Sequence, residues 1–385
     1  MTASETAGPR PPVPKLPVVV LLGGPSAEHD VSIVSGSAIA RALGAAGHPV
    51  DRVVIGLAGD WWWLPGAADG PLPDPAPTAF DDPAGLGAAG PEAAGTLLER
   101  LAARPSPPVV FIALHGPFGE DGTVQALLEA AGLAYTGSGV AASALGMDKA
   151  LFKRLVRGLG LPVVDWREIS LRRWRADQAA VLAELEAFAG GFGDPRLIVK
   201  PARLGSSVGM TLAHDPAERR GALEAAFEHD NLAIVERYVS GARELEVAVL
   251  GNDPAAIELY GPGEVLSGHE FYDYAAKYTP GLSETSPSAE LEPRQRATIL
   301  KIARDAYRAV GAEGFARLDF LVQGEVIYLS EINTIPGFTP ISLFPAMAAA
   351  GGYTFGALAS RIVELGQERW TGRIRPRLSP GDLPR

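Results

Sequence analysis

The chain of 385 residues contains no cysteine. Disulfide bonds, thiolate catalysis and cysteine-ligated zinc are therefore excluded. The first fifteen residues also lack the apolar core of a secretory signal peptide. A reducing compartment is consistent with both absences, and we expect a cytoplasmic protein.

Runs of lysine and arginine are missing as well. The 34 basic residues are outnumbered by 45 acidic ones, which gives a net charge of −11. Such an acidic chain is a poor match for nucleic acid or an anionic membrane surface. The first apolar run, residues 17–22, is far too short to span a bilayer. We therefore expect small-molecule partners. The length of the chain suggests two or three domains.

Three segments lack helical or strand periodicity and are dominated by small residues and proline. We expect residues 1–15 to form a disordered tail, residues 66–95 a low-complexity surface insertion, and residues 373–385 a second tail. No function is assigned to any of them.

The first ordered block, residues 16–138, alternates strands and helices. An apolar run at 18–22 leads into two glycines, which is typical of a buried parallel strand. This order predicts a Rossmann-like parallel sheet with ligands at the carboxyl ends of its strands. Glu28 and His115 each follow a strand and are candidate site residues. The other elements predicted by periodicity are helices at 31–42 and 124–131 and strands at 50–57 and 108–114.

Two further lobes are expected, at residues 139–237 and 238–372. The spacing of apolar residues predicts a helix over 145–156 with Lys149 near its middle, and Lys200 ends a predicted strand. The last lobe alternates less regularly, which indicates an α+β arrangement beside the α/β first block. Its elements are a strand at 244–250, a long loop at 261–281 and a helix at 293–310.

The most informative stretch is residues 317–339, which read as two extended runs joined by a turn. Alternation places Arg317 beside Asp319 on one strand and Glu331 beside Asn333 on the other. Two carboxylates and an amide oxygen form the all-oxygen ligand set that Mg²⁺ prefers. Because Mg²⁺ with few protein ligands usually also binds phosphates, the hairpin predicts a metal–nucleotide site.

Residues 205–209, Gly-Ser-Ser-Val-Gly, are a candidate phosphate loop, because small residues let backbone N–H groups approach phosphate oxygens. Lys200 lies five residues earlier, where its ammonium can neutralise a phosphate. Glu236 and Glu244 flank a strand–loop–strand connection and can accept hydrogen bonds from adenine or ribose. Each feature alone would indicate an ordinary turn or surface charge, and only their combination favours a nucleotide site.

Together these residues resemble the ATP-grasp superfamily and, within it, the D-alanine–D-alanine ligase family. The resemblance covers residues 18–366, most of the chain. It implies an ATP-grasp fold, in which an N-terminal Rossmann-like domain precedes two lobes that clasp ATP. Its most specific motifs are His-Gly-Pro-Phe-Gly-Glu-Asp-Gly-Thr at 115–123 and Phe-Tyr-Asp-Tyr-Ala-Ala-Lys-Tyr at 271–278.

The resemblance implies a nucleotide and metal site. It implies two Mg²⁺ ions, with Mn²⁺ as a substitute, on Asp319, Glu331 and Asn333. The residues that it implies around ATP are Lys149, Lys200, Ser206, Ser207, Glu236, Val239, Glu244 and Asn333.

The resemblance also implies substrate and catalytic residues. Glu28 would bind the ammonium of the first D-alanine, close to His115. Arg317 and the backbone N–H of Gly337 would stabilise an oxyanion. Ser206 and Tyr278 would hydrogen-bond with Glu28 and so fasten the loop at 261–281 over the site. The remaining substrate contacts implied are Lys277, Ser342 and Leu343, the last two for the carboxylate of the second D-alanine.

The implied activity is the ATP-dependent ligation of two D-alanines through a D-alanyl phosphate, for peptidoglycan synthesis, by a homodimer. Three alternatives remain open. A D-alanine–D-lactate ligase of the glycopeptide-resistance type would carry a different loop with a histidine, whereas Lys277 and Tyr278 match the dipeptide type. Another ATP-grasp carboxylate–amine ligase is disfavoured by Glu28 and by the Lys277-Tyr278 pair. A non-catalytic nucleotide-binding protein is disfavoured because the candidate metal ligands are all present.

Overall fold

The computed structural model describes residues 15–66, 75–267 and 283–373. Its first sheet consists of β1 (Val18–Gly23), β2 (Val50–Ile55), β3 (Trp61–Leu64), β4 (Ala89–Glu92) and β5 (Val109–Ile112). The strand order is β4-β3-β2-β1-β5, and β1 pairs in parallel with β2 and β5. Strands β3 and β4 add an antiparallel edge. The parallel centre that the sequence predicts is therefore confirmed.

The turn after β1 positions the first candidate residue. Gly23 has φ +88°, and a side chain there would lie 2.3 Å from the carbonyl oxygen of Ile55. Only glycine suits this position, since it combines a left-handed conformation with a close backbone approach. The chain then places Glu28 at the N-cap of the next helix, at the carboxyl edge of the sheet. The helices of this part are α1 (His29–Ala45), α2 (Ala94–Ala102) and α3 (Thr123–Ala131).

The expected low-complexity insertion contains more order than its composition indicates. A short 3-10 helix, Pro77–Asp81, buries Phe80, and β4 pairs with β3 across Trp61 and Glu92. One aromatic anchor and main-chain pairing suffice to join this segment to the sheet, although neither produces a periodic sequence. Residues 67–74 lie outside the described residues.

The second sheet is formed by β6 (Trp166–Ser170), β7 (Leu197–Pro201), β8 (Thr211–Ala213) and β9 (Leu232–Arg237). It is antiparallel with the order β6-β9-β7-β8. Its core includes Trp174, Val181, Leu185 and Leu223. These residues come from α6 (Leu171–Ala176), α7 (Gln178–Gly190) and α8 (Glu218–Phe227).

The third sheet is formed by β10 (Arg243–Leu250), β11 (Glu258–Ser267), β12 (Ser283–Ser286), β13 (Phe315–Gln323) and β14 (Val326–Asn333). It is antiparallel with the order β12-β11-β10-β13-β14, and the predicted hairpin is β13–β14. The helices of this part are α9 (Pro293–Val310), α10 (Leu343–Ala350) and α11 (Phe355–Gly372). In the described ranges, no helix combines the length and apolarity needed to cross a membrane.

One predicted helix is in fact two. The expectation that Lys149 lies near mid-helix is wrong, because α4 (Val140–Met147) ends and α5 (Lys149–Gly158) begins at this point. Asp148 is the reason: its side chain accepts hydrogen bonds from the N–H groups of Ala150 and Leu151 and so caps a new helix. Ala142 of α4 and Phe152 of α5 pack in the core of the third sheet. The domain boundaries at 138 and 237 remain predictions.

Two element limits also differ from the expectation. The long loop does not begin at 261, because β11 continues to Ser267 and pairs with β10 across an irregularity between Glu246 and Ala248. A bulge of this kind lets a strand accommodate the Gly-Pro-Gly at 261–263. The second extended run ends at Asn333 and not at 339. The segment beyond it forms loop structure that leads to α10.

Candidate functional site

The candidate site begins with Glu28, which is 5% exposed. The hydroxyl of Ser206, from the loop after β7, donates a hydrogen bond to Glu28 Oε1. Glu28 Oε2 has no hydrogen-bond partner among the described residues. The backbone approaches this oxygen closely, since a Cβ at Gly116 or Gly205 would lie 2.3 or 2.8 Å from it. Three loops therefore meet at one carboxylate that retains an acceptor atom.

The glycine–serine loop at 205–209 has a strained backbone. Ser206 and Ser207 both adopt left-handed conformations, with φ of +48° and +58°. Such conformations are uncommon for residues with a side chain and occur at ligand sites when the surrounding structure holds them. Lys149 donates to the carbonyl oxygen of Leu204 over 2.7 Å and helps to hold the loop. A phosphate-binding role for this loop remains a prediction.

The hairpin brings its four polar residues together. Asp319 is the Cα partner of Glu331, and Arg317 is the partner of Asn333. The Nε and Nη2 atoms of Arg317 donate to the two Asp319 oxygens, each over 2.7 Å, and Asn333 Nδ2 donates to Asp319 Oδ2 over 2.9 Å. Although burial disfavours the guanidinium charge, Asp319 and Glu246 raise the pKa of Arg317. Arg317, Asp319 and Asn333 thus form one connected polar cluster, with Glu331 opposite Asp319 on the paired strand.

The oxygen atoms of the hairpin show whether a divalent cation could bind here. Each carboxylate faces a basic group: Asp319 pairs with Arg317, and Glu331 Oε2 lies 3.5 Å from Lys149 Nζ. Paired strands present these oxygens, and hard cations take such ligands. The described ranges contain no group of three or more His, Cys, Asp or Glu side chains that could hold a metal. The Asn333 amide and phosphate oxygens would have to complete the shell, which is usual for Mg²⁺.

A buried charge cluster lies between α5 and the second sheet. Glu236 Oε2 is 3.0 Å from Lys200 Nζ, and Glu236 Oε1 is 2.6 Å from Lys153 Nζ. Although burial alone would raise it, the two lysines lower the pKa of Glu236 to about 2. Glu236 is therefore ionised at neutral pH and tied to the lysine expected on a phosphate.

His115 links the first sheet to the loop that follows β14. Its Nε2 lies 2.9 Å from Ser35 Oγ, and its Nδ1 lies 3.0 Å from the carbonyl oxygen of Ile335. Glu120 contacts the same loop, since the Ile335 N–H donates to Glu120 Oε2 over 3.3 Å. Burial lowers the pKa of His115 despite the nearby charge of Glu28. Burial together with that charge raises the pKa of Glu120 to about 8.

Gly337 and Ser342 lie in the loop before α10, with Ser342 at the N-cap and Leu343 as the first helical residue. Ser342 Oγ accepts a hydrogen bond from the Thr339 N–H over 3.0 Å. A Cβ at Gly337 would lie 3.3 Å from Ser342 Oγ. The N–H groups at a helix start suit a carboxylate, and the substrate role expected for Ser342 and Leu343 remains a prediction.

The remaining expected residues are placed only in part. Val239 is buried after β9, and Glu244 lies half-buried in β10, so both flank the connection predicted to hold adenine and ribose. Lys277 and Tyr278 lie outside the described residues, as does most of the expected lid. Their roles remain predictions.

Three charged residues near the site were not predicted from the sequence: Lys153, Glu120 and Glu246. Lys153 follows Lys149 by one helical turn beside the apolar Phe152, and a lysine on an apolar face was the available signal. Glu246 alternates with Glu244 on β10, and its Oε2 lies 3.3 Å from Arg317 Nε. Glu120 offered no signal beyond its motif, because contact with Ile335 depends on tertiary structure.

A first sheet with a parallel centre, followed by two antiparallel sheets, with lysines and a carboxylate hairpin near a strained loop, defines an ATP-grasp enzyme. Two family models match the chain: the one described as D-ala D-ala ligase N-terminus over residues 17–138, and the one described as D-ala D-ala ligase C-terminus over 155–364. The chain belongs to the D-alanine–D-alanine ligase family.

Individual relatives are similar to this chain over nearly its whole length. The D-alanine–D-alanine ligase of Heliobacterium modesticaldum is 39% identical over 381 residues, covering 96% of this chain and 99% of that protein. That of Kineococcus radiotolerans is 40% identical over 382 residues, covering 93% and 98%. The solved D-alanine–D-alanine ligase from Coxiella burnetii has a TM-score of 0.73 at 31% identity, covering 93% and 96%. The VanG D-Ala:D-Ser ligase from Enterococcus faecalis has a TM-score of 0.75 at 28% identity, covering 91% and 99%.

Proposed function

We propose that this chain uses ATP to join two D-alanine molecules, giving D-alanyl-D-alanine, ADP and phosphate for peptidoglycan synthesis. The observation that carries the proposal is the hydrogen bond from Ser206 to Glu28. It joins a carboxylate suited to an amino-acid ammonium to the loop suited to a phosphate. Family membership supports the same reaction.

The first step activates a carboxylate. A carboxylate oxygen of the first D-alanine attacks the γ-phosphorus of ATP, which forms D-alanyl phosphate and releases ADP. Glu28 holds the ammonium through its unpartnered Oε2. Lys149 and Lys200 hold phosphate oxygens, since positioning and electrostatics contribute most of the catalysis of phosphoryl transfer. Asp319, Glu331 and Asn333 would hold two Mg²⁺ ions, or Mn²⁺, which neutralise phosphate charge.

The second step forms the peptide bond. The amine of the second D-alanine attacks the acyl carbon, and the tetrahedral intermediate then expels phosphate. Arg317 and the Gly337 N–H stabilise its oxyanion, and losing one such donor typically costs about 2.7–4 kcal/mol. Ser342 and the N-terminus of α10 receive the second carboxylate. Tyr278 and Lys277 belong to the lid that excludes water from the acyl phosphate.

Two other second substrates define the alternatives. D-lactate would give a depsipeptide, and D-serine is suggested by the similarity to the VanG D-Ala:D-Ser ligase. The Lys-Tyr pair at 277–278 favours D-alanine over D-lactate.

The experiment is an ADP-release assay in Mg²⁺ with product identification. D-alanine alone should support turnover and yield D-alanyl-D-alanine, whereas L-alanine should not. In competition with D-lactate or D-serine at equal concentration and neutral pH, the D-alanine dipeptide should dominate. A dominant depsipeptide or D-alanyl-D-serine would replace the proposed substrate, and no D-alanine-dependent ADP release would remove the enzyme assignment.

The assembly and location follow from the same proposal. We infer a homodimer in the cytoplasm, because the family resemblance implies a dimer and the absence of cysteine suits a reducing compartment. Sedimentation of the purified chain tests the dimer directly.

A further inference from the structure

Lys153 is a buried cation for which the family resemblance supplies no role. It lies in α5, one turn after Lys149, with 1% of its surface exposed. Its ammonium lies 2.6 Å from Glu236 Oε1 and 5.5 Å from the centre of the Trp166 ring. An ammonium is costly to bury unless it is paired, so this lysine needs an electrostatic reason for its place.

Glu236 explains that place. Lys153 contacts one of its carboxylate oxygens, and Lys200 contacts the other at 3.0 Å. All three groups are buried, and they carry two positive charges and one negative charge. Lys200 is also the residue proposed to bind a nucleotide phosphate. A phosphate and Glu236 therefore compete for the same ammonium.

We propose that Lys153 is a positioning residue for the nucleotide: it keeps Glu236 ionised and fixed so that Lys200 can turn from Glu236 to a phosphate. This inference rests on the proposed use of ATP. With a single lysine, transfer of Lys200 to the phosphate would leave a buried carboxylate without a counter-charge, which is strongly unfavourable. With Lys153 present, the carboxylate stays neutralised throughout.

The charges of the free protein support this arrangement. Burial lowers the pKa of Lys153, and Glu236 opposes that effect. Burial also acts against the charge of Lys200, yet Glu236 and Glu331 raise its pKa overall. Lys200 therefore stays protonated beside Glu236, and its ammonium is available to a phosphate.

The test measures the affinities of ATP and adenosine by calorimetry in Mg²⁺ for the full chain and for Lys153→Met. ATP should bind about tenfold more weakly to the variant, a change of about 1.4 kcal/mol. Adenosine, which has no phosphate to claim Lys200, should change by less than about threefold. Lys301→Met removes an exposed lysine of α9 and should change neither affinity.

A second substitution separates this role from a merely structural one. Glu236→Gln keeps an acceptor for adenine but no longer holds Lys200 by charge. Loss of Lys153 should then matter little, so the ATP affinity of the double variant Lys153→Met/Glu236→Gln should lie within about threefold of that of Glu236→Gln alone. This comparison remains readable even if Lys153→Met alone does not fold. Equal weakening of ATP and adenosine, or no recovery in the double variant, would overturn the inference. Absence of ATP binding by the unaltered chain would instead contradict the proposed function.

Discussion

At the scale of single residues, Glu120 illustrates how burial changes the chemistry of a carboxyl group. Its side chain accepts hydrogen bonds from the N–H groups of Gly116 and Ile335, yet burial and the charge of Glu28 raise its pKa to about 8. Backbone donors alone would favour the ionised form. Desolvation exceeds them here, so the folded protein keeps this group protonated at neutral pH.

This shift predicts a pH-dependent stability. The folded pKa of Glu120 lies above the unfolded value of 4.5, so its contribution is fully present below pH 4.5 and is lost as pH rises towards 8. The free energy of unfolding of the wild type relative to Glu120→Gln should fall over this window, by at most about 1.4 kcal/mol per pH unit. Urea denaturation at four pH values measures it. A constant difference would show that Glu120 ionises normally.

Asp319 carries a second prediction at this scale. Asp319→Asn removes the carboxylate that faces Arg317 and the expected cation, while keeping the size of the side chain. We expect the rate of ADP release to fall at least about 100-fold. The metal ion that neutralises charge during phosphoryl transfer would lose one of its ligands. Glu325→Gln, in the exposed turn of the same hairpin, is the matched control and should retain activity. Substantial turnover by Asp319→Asn in Mg²⁺ would contradict the metal assignment.

At the scale of elements, the sequence predicted most strands better than it predicted the helix break at Asp148 or the order within the insertion. The β13–β14 hairpin, the buried β1 and the helix Pro293–Val310 follow from periodicity and turn residues. The break at Asp148 depends on a single capping side chain, whereas the apolar stripe in the sequence is continuous across it. Strand β4 required pairing with a distant strand, which no local pattern of proline, glycine and alanine encodes.

The positions of the candidate site residues, like those of the strands, follow from the sequence only in part. Short motifs identified the residues whose positions depend on one loop or one hairpin, such as Ser206 and Asp319. Lys153, Glu120 and Glu246 were missed because their partners are distant in sequence. Their importance is apparent only from burial and charge in the folded chain.

The loop after β7 provides a prediction of its own. A Cβ at Gly205 would lie 2.8 Å from Glu28 Oε2, the atom proposed to bind ammonium. Gly205→Ala should therefore raise the KM for D-alanine about tenfold or more with little change in thermal stability. Gly221→Ala is the control. Gly221 is exposed in α8, and no atom lies within 4 Å of the new methyl group. An unchanged KM for Gly205→Ala would place the ammonium elsewhere.

At the scale of the whole molecule, the C-terminal helix ties the last part of the chain to the first. Helix α11 contacts α1 and β5, and its Arg369 stacks over the Tyr135 ring at 4.1 Å. Gly366 allows this approach, because a Cβ there would lie 2.7 Å from the carbonyl oxygen of Tyr135. The C-terminal helix is thus packed closely against the first sheet.

This packing predicts opposite effects for two glycine substitutions in helices. Gly366→Ala should lower the free energy of unfolding by about 1–3 kcal/mol, since the methyl group forces apart two packed backbones. Gly221→Ala should raise it by up to about 1 kcal/mol through helix propensity. Thermal unfolding of both variants beside the wild type measures the contrast. Stabilisation by Gly366→Ala would show that α11 is not closely docked.

The proposed ligation depends on activation of an amino-acid carboxylate by phosphoryl transfer. The most direct measurement supplies D-alanine with ¹⁸O in both carboxylate oxygens and analyses the released phosphate by mass spectrometry. Because the attacking carboxylate oxygen leaves with the phosphoryl group, each phosphate should carry one ¹⁸O. Phosphate without label, released in step with dipeptide, would contradict the acyl phosphate and the site built around Glu28, Lys149 and Lys200.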